Sequence, residues 1–384
     1  MRRSMRLWLV CASGFSLNAC EGPVEPVKDP APEPTATAPV SPPATGNPTA
    51  QKAPIPFIWS QTDGMQKIPL PAGATRGVAT AINSHGDVLG WYYSSSAGHT
   101  AFLWSLARGF RELPGSIAGS SNISVADLND AGQLVGAVSF AWDTGVGFVW
   151  KEGGGLTVLS IPGADIAVNG INNNGEVVGS RVYQYESPYG PSVAREGFIW
   201  APTSGFRSVA GATPFDAADA RDLNDPGSVV GLDSRQDSRS PRPVLWSASL
   251  TSPTGLTERI DYDVCDHWWG FDPETRTGSC GEATAINTHG VAVGSANGRA
   301  FRADPGSSTT YLSVAEGRAS FATAINDHGD VVGYTVSHPG FASITAAFLW
   351  RSDGTVVRLG SIPGTASTYA TGINRSGQIV GYAR

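Results

Sequence analysis

An all-β fold, a seven-bladed β-propeller of four-stranded blades, is what three features of this 384-residue chain predict. First, one short pattern occurs seven times: a small-residue stretch ending in Ile or Leu, then Asn, two free positions, Gly, an apolar stretch and a second Gly. The copies are Asn83/Gly90, Asn129/Gly136, Asn172/Gly179, Asn224/Gly231, Asn287/Gly294, Asn326/Gly333 and Asn374/Gly381, always seven residues apart. Repeats of about 40 to 60 residues with strand-like composition characterise propellers and stacked arrays. Second, only 15% of residues are charged while Gly numbers 47 and Met 3, which fits turn-rich β structure better than helices. Third, the repeats begin and end on complementary half-units.

Each repeat contains four short β-prone runs, here called a (ending at Asn), b (Val-Val-Gly or its equivalent), c (Phe-x-Trp) and d (the Leu run after the second turn). Asn at the first turn position and Gly at the fourth suit a type I turn between a and b, with Gly supplying the left-handed residue that lets the hairpin close through a bulge. A turn of constant length pins the register of every unit. Strand c carries Phe57/Trp59, Phe102/Trp104, Phe148/Trp150, Phe198/Trp200 and Phe348/Trp350, with Val244/Trp246 as a variant and an eroded Phe301-Arg302-Ala303. Residues two apart on a strand share a face, so each pair presents an apolar plate for core packing. The ordered region opens with c and d, residues 57–70, and closes with a and b, residues 369–382. The N-terminal c and d strands are therefore expected to share a blade with the C-terminal a and b strands, closing the ring and abolishing exposed edges.

Ahead of the repeats, residues 1–19 read as a signal peptide: Arg2, Arg3 and Arg6 precede an apolar core from Leu7 to Leu17 that is too short to span a bilayer. Leu17-Asn18-Ala19-Cys20 resembles the lipobox of bacterial lipoproteins, which implies acylation of Cys20; Asn18 departs from the usual small residue. Residues 20–56 are Pro, Ala, Thr and Glu with almost no large apolar side chain, an extended, disordered tether. The expected address is the bacterial cell envelope or surface, with the membrane reached only through the lipid anchor. Residues 57–384 form the propeller. Cys265 and Cys280 fall in one insertion and are expected to form a disulfide in an oxidising compartment, two free thiols being the alternative.

The pattern Ala-x-Ala-Ile-Asn-x-x-Gly-x-Val-Val-Gly followed by Ala-Phe-Leu-Trp, clearest at Ala322 to Gly333 with Ala347 to Trp350, resembles the HAF repeat of bacterial extracellular proteins. The resemblance covers essentially everything from Phe57 onward and implies export and a propeller-like fold. It carries no general reaction and no catalytic residues.

A net charge of −7, or −10 without the leader's three arginines, gives no basic stripe for phosphates and excludes nucleic acid as a partner. Strand direction alternates in a blade, so a–b and c–d turns emerge on one face and b–c and d–a connections on the other. Asn to Gly never varies, whereas second Gly to the next Phe (or Val244) runs 12, 12, 19, 13, 7 and 15 residues, and Trp246 to Asn287 stretches to 41. Elaboration on a rigid scaffold is where binding usually resides, so the b–c/d–a face is the expected working surface. Its candidate ligand-binding residues are His267, Trp268, Trp269, Phe271 and Asp272 in the cysteine insertion, Tyr183, Tyr185 and Tyr189 in the longest b–c loop, and Trp91, Tyr92 and Tyr93 at the start of another. Aromatic plates beside carboxylates suit a glycan or a protein ligand; Trp268 and Trp269 equally suit folding back over the eroded fifth copy.

His85, His289 and His328 share one turn position, but other copies hold Ala131, Asn174, Pro226 and Ser376 there, and a rim would separate them too far for one ion; no metal and no cofactor is expected. Asp127 and Asp222 replace small residues near the axis and are the weak catalytic candidates as paired carboxylates, against a role bonding backbone or channel water. Nucleophile elbows, zinc, phosphate and calcium motifs are absent; Asp63-Gly64 and Asp353-Gly354 suit plain c–d turns. The leading reading is a monomeric, surface-tethered, non-catalytic binding module. A glycan-cleaving hydrolase or lyase and a purely structural envelope protein stand as alternatives.

Overall fold

The computed structural model describes residues 53–113, 122–140, 143–187, 190–209, 211, 217–234, 241–249, 253–256, 281–312, 314, 319–337 and 344–384. No helix occurs among them, and the strands form seven antiparallel sheets of four. Numbered along the chain, blades 1 to 7 have their strand a at Ala74–Ile82, Asn122–Leu128, Ala164–Ile171, Ala217–Leu223, Gly281–Ile286, Ala319–Ile325 and Thr368–Ile373. Blade 7 joins the chain ends: its order is Gly64–Lys67, Ile55–Ser60, Ile379–Ala383, Thr368–Ile373. Phe57 lies opposite Gly381 and Trp59 opposite Ile379, so the ring closes by backbone pairing between the two ends of the repeat region.

The seven-residue spacing has a packing cause. In every a–b turn the Gly three residues after Asn has φ between +73° and +88°, and its N–H returns to the Asn carbonyl. That turn sets the register so that the second Gly lies directly across from the first aromatic of strand c: Gly90 faces Phe102, Gly136 Phe148, Gly179 Phe198, Gly294 Phe301, Gly333 Phe348 and Gly381 Phe57. A Cβ on Gly90 would lie 2.5 Å from the Phe102 ring and 2.4 Å from the Val78 carbonyl oxygen. The ring thus lies over bare backbone. Phe57, Phe102, Phe148, Phe198 and Phe301 are fully buried as a result, each burial worth about 1.5–3 kcal/mol.

Seven apolar clusters form between blades, and strand c feeds two of them by alternation. Phe102 and Trp104 pack with Ile58 and Val380 of blade 7, while Leu103 between them points the other way, to Phe148 of blade 2. The Phe-x-Trp plates are core: Trp59, Trp104, Trp246 and Trp350 are buried.

At the axis the Asn side chains form a closed circuit. Each Nδ2 donates to the carbonyl oxygen of the next Asn, from Asn83 through 129, 172, 224, 287, 326 and 374 and back to Asn83, at 2.9–3.2 Å. Each Oδ1 accepts N–H groups of its own turn, as Asn224 accepts from Ser228 at 2.9 Å. All seven Asn are buried, so every bond made avoids a stranded polar group that would cost roughly 1–3 kcal/mol.

Strand a is bulged in all seven blades, the register skipping the residue three before Asn. Four of these residues are Thr: Thr284, Thr323 and Thr371 donate across blades to the carbonyl oxygens of Ala322, Ala370 and Ala79 at 2.8–2.9 Å, while Thr80 donates within its own blade to the Leu89 carbonyl oxygen at 3.1 Å. At blades 5, 6 and 7 the bulge Thr thereby acts as an inter-blade clasp.

Candidate functional site

On the b–c/d–a half of the inner strands, one cross-strand pair beside the axis differs from blade to blade. The residue five before Asn faces the residue after the second Gly: Val78 with Trp91, Ser124 with Ala137, Ala167 with Ser180, Asp219 with Leu232, Glu282 with Ser295, Phe321 with Tyr334, and Tyr369 with Tyr382. Side-chain size at this pair decides what is solid. Blades 6 and 7 fill the sector with stacked rings, Phe321 on Tyr334 at 5.2 Å and Tyr369 on Tyr382 at 4.7 Å, joined by Tyr334 against Tyr369 and by Arg384 over the Tyr369 ring. Burial raises the Tyr334 and Tyr382 hydroxyls above their usual range. Blades 4 and 5 hold a charged lattice in which Asp219 takes Arg195 at 3.0 Å and Arg221 reaches Glu282 at 2.9 Å.

Blades 2 and 3 carry the small pairs, and there a cavity of about 560 Å³ opens. Trp91 and His99 of blade 1 form one wall, Ile123, Ser124 and Ala137 the floor of blade 2, and Ala167 and Asn169 the side of blade 3. His99 packs against both Trp91 and Tyr93, with ring centroids 5.1 and 5.2 Å apart, and Arg76 lies over Tyr93 at 4.7 Å. Burial first, and the Arg76 charge second, hold His99 below the usual imidazole range, so at neutral pH it is an uncharged ring offering one donor and one acceptor. Asn169 is anchored by donating to the Ala220 carbonyl oxygen at 2.7 Å. The site is an aromatic plate facing a shelf of small and hydroxyl-bearing residues.

The expected loop residues fall out differently. Trp91, Tyr92 and Tyr93 are not in a loop but inside strand b of blade 1, Val88–Ser94, where alternation separates them. Tyr92 points into the core, 3% exposed, with its hydroxyl on Glu112 and its ring against Phe110; it offers no plate to a ligand. Tyr183 and Tyr185 likewise belong to strand b of blade 3, Val177–Ser187, paired with Gly190–Ala201 in the longest b–c hairpin among the described residues. Arg181 lies over Tyr183, and Tyr185 and Val193 are exposed on that ribbon. Tyr189, Cys20, Cys265, Cys280, His267, Trp268, Trp269, Phe271 and Asp272 lie outside the described residues. His99, Ser124 and Asn169 were not foreseen. The signal was a column of the repeat whose side chains switch from Phe and Tyr to Ser and Ala.

Asp127 of blade 2 and Asp222 of blade 4 flank Gly170 of blade 3, and both are partly exposed. All four carboxylate oxygens accept backbone N–H groups: Asp127 from Leu128 and Ile171 of the next blade, Asp222 from Leu223 and Ile286 of the next. Burial raises both above the carboxylate range, Asp222 to about 7 with the Asp127 charge as its second cause; the N–H donors pull the other way. Each oxygen thus accepts one backbone N–H, and through Ile171 and Ile286 the two carboxylates link neighbouring blades. His85, His289 and His328 donate their backbone N–H groups to the turn Asn, and among the described residues no three His, Cys, Asp or Glu gather to hold an ion.

No family model matches the chain, and a search of curated proteins finds no match. Solved structures do. A prolyl endopeptidase aligns with a TM-score of 0.52 at 13% identity, over 77% of this chain and 44% of that one. A putative TolB from Agrobacterium tumefaciens gives 0.48 at 10% identity over 87% of this chain and 99% of its own. A virginiamycin B lyase from Staphylococcus aureus, in complex with quinupristin, gives 0.47 at 10% identity, over 83% and 98%. At such identity the likeness concerns the fold alone.

Proposed function

We propose that this chain is an envelope- or surface-tethered, non-catalytic binding module that takes a glycan in the cavity between blades 1, 2 and 3. The leader, Cys20 and the Pro-rich stretch support export and tethering, as does the repeat's resemblance to the HAF family. The observation that carries the ligand reading is the cavity itself. It exists because blades 2 and 3 hold Ser124/Ala137 and Ala167/Ser180 where blades 6 and 7 hold aromatic pairs. A sugar ring stacks its C–H face on Trp91 and spends its hydroxyls on His99, Ser124 and the polar edge of Asn169; a neutral, aromatic-walled pocket with few polar groups suits that chemistry. No Asp or Glu is among the described residues lining the cavity, which favours binding over hydrolysis there, since a general acid must lie within reach of the leaving oxygen.

A glycan array with the purified protein, followed by titration calorimetry on any hit, tests this. The double variant Ser124→Phe/Ala137→Tyr, which installs the pair blade 6 carries, should abolish binding while the protein stays folded. Retained binding in that variant would place the ligand elsewhere, and an array without hits would remove the glycan reading. A protein ligand is the second reading, favoured by Tyr185 and Val193 exposed on the long hairpin; binding lost on Tyr185→Ala but kept in the cavity-filled variant would select it.

A further inference from the structure

On the opposite face, that of the Asn turns, two clefts occupy the same place in the repeat. One of about 240 Å³ lies between blades 1 and 2, and one of about 480 Å³ between blades 6 and 7. In both, an arginine of the first blade reaches across to the residue two after the strand c Trp of the second. Between blades 1 and 2 that residue is Glu152, which takes Arg111 at 2.5 Å, while Asp87 takes Arg108. The arginines there are neutralised from inside the protein.

Between blades 6 and 7 the same position is Gln61, and Arg351 donates to its amide oxygen at 2.7 Å. The reach is kept, but the carboxylate that Glu152 supplies is replaced by a neutral amide. Arg375, exposed on the a–b turn of blade 7, lines the same cleft, and among the described residues neither arginine makes an ion pair. Asp330, at the position of Asp87, also lines the cleft, where its Oδ1 accepts the Ser352 N–H at 3.0 Å, and Asp353, which feels the Arg351 charge, accepts the Thr355 N–H at 2.8 Å; two guanidinium groups against the one carboxylate of the lining leave the cleft net positive. Trp59 and Leu349 give the cleft an apolar back wall, and the Ser60 and Thr62 side chains line its mouth.

We propose that this cleft is a binding site for an oxyanion, a carboxylate or phosphate group, held by Arg351 and Arg375. A guanidinium fixed by a neutral amide at one edge still presents its remaining N–H groups for a bidentate contact, and a second unpaired guanidinium at the rim adds charge without a desolvation cost already spent. The site lies on the face opposite the glycan cavity and does not depend on it.

The test uses the full protein in thermal-shift titrations at ionic strength held constant with sodium chloride, the probes being inorganic phosphate and glucuronate. Either probe at saturation should raise the melting temperature by about 1–3 °C over the chloride control, as mass action on the folded state requires. Arg351→Gln and Arg375→Gln should each reduce that shift at least by half, and Arg358→Gln, an exposed arginine outside the cleft, should leave it unchanged. Gln61→Glu is the decisive variant: it keeps size and reach, supplies the carboxylate that blade 2 has, and should raise the basal melting temperature while removing the anion response. Conversely Glu152→Gln should create a response at the other cleft. A shift no larger than chloride gives, or one unchanged in Gln61→Glu, overturns the proposal; phosphate without glucuronate, or the reverse, tells which oxyanion fits.

Discussion

The two ends of the axial channel are built on different rules. At the Asn-turn end, every blade presents the same side chain, making the same bond to the same backbone group of its neighbour. At the b–c/d–a end, the corresponding residues are apolar and aromatic in one sector, ionic in a second and small in a third. A carbonyl oxygen has a fixed position, so whatever satisfies it tolerates no variation. A packing contact asks only that volume be filled, and where it is left unfilled a cavity results. The difference ties ring closure to one end and leaves the other free to vary from blade to blade.

Breaking the uniform end should produce the largest effects. Asn224→Leu removes the donor to the Asn287 carbonyl and the acceptor of the Ser228 N–H in a buried place, and should cost about 3 kcal/mol as two polar groups lose their partners. Urea unfolding measures it, and a loss below about 0.5 kcal/mol would mean that the circuit contributes little. Gly90→Ala should cost roughly 2–3 kcal/mol by overpacking. Adding Phe102→Val should not rescue it, because the Val78 carbonyl oxygen clashes with the new Cβ independently of the ring. Full rescue would show that the aromatic alone requires Gly.

The axial carboxylates probe the middle of the channel. Asp222 holds its proton more tightly folded, up to about 7, than unfolded, near 3.8. Its contribution to stability is therefore greatest below about pH 4 and is lost as pH rises to about 7, a change on the order of 2–4 kcal/mol. Asp222→Ala, the residue that blades 1, 5 and 6 carry there, should flatten the stability difference between pH 5 and pH 7.5. An unchanged difference would show that the group titrates normally. At the variable end, Arg76→Ala should cost only about 0.5–1 kcal/mol, the worth of a half-exposed cation–π contact, and should raise the His99 pKa in an NMR titration. A stability loss several times larger would give that end a role in holding the ring.

Much of the scaffold was legible because its determinants are close in sequence. Asn83 and Gly86 define a turn, Gly90 follows at fixed distance, and Phe102 lands on it once the hairpin closes. The leftover c–d and a–b halves announced the shared blade that Phe57 and Gly381 complete. The Asn circuit was not legible, because an Asn at a turn looks the same whether its Nδ2 meets water or the next blade. The site was half legible. Trp91 stood out as an aromatic on the right face, but Tyr92 beside it belongs to the core, and Ser124 and Asn169 attract notice only when set against Phe321 and Thr323 in the other copies.

Turn chemistry, strand register and the closure of seven units into a ring were thus determined by the sequence alone, since each rests on steric rules acting within one repeat or between identical repeats. Which side chains meet solvent, where volume is missing and which arginine meets an amide in place of a carboxylate were decided only by the tertiary structure. Those properties belong to no single residue: they arise where side chains of neighbouring blades, tens of residues apart in the chain, fill or fail to fill the same space.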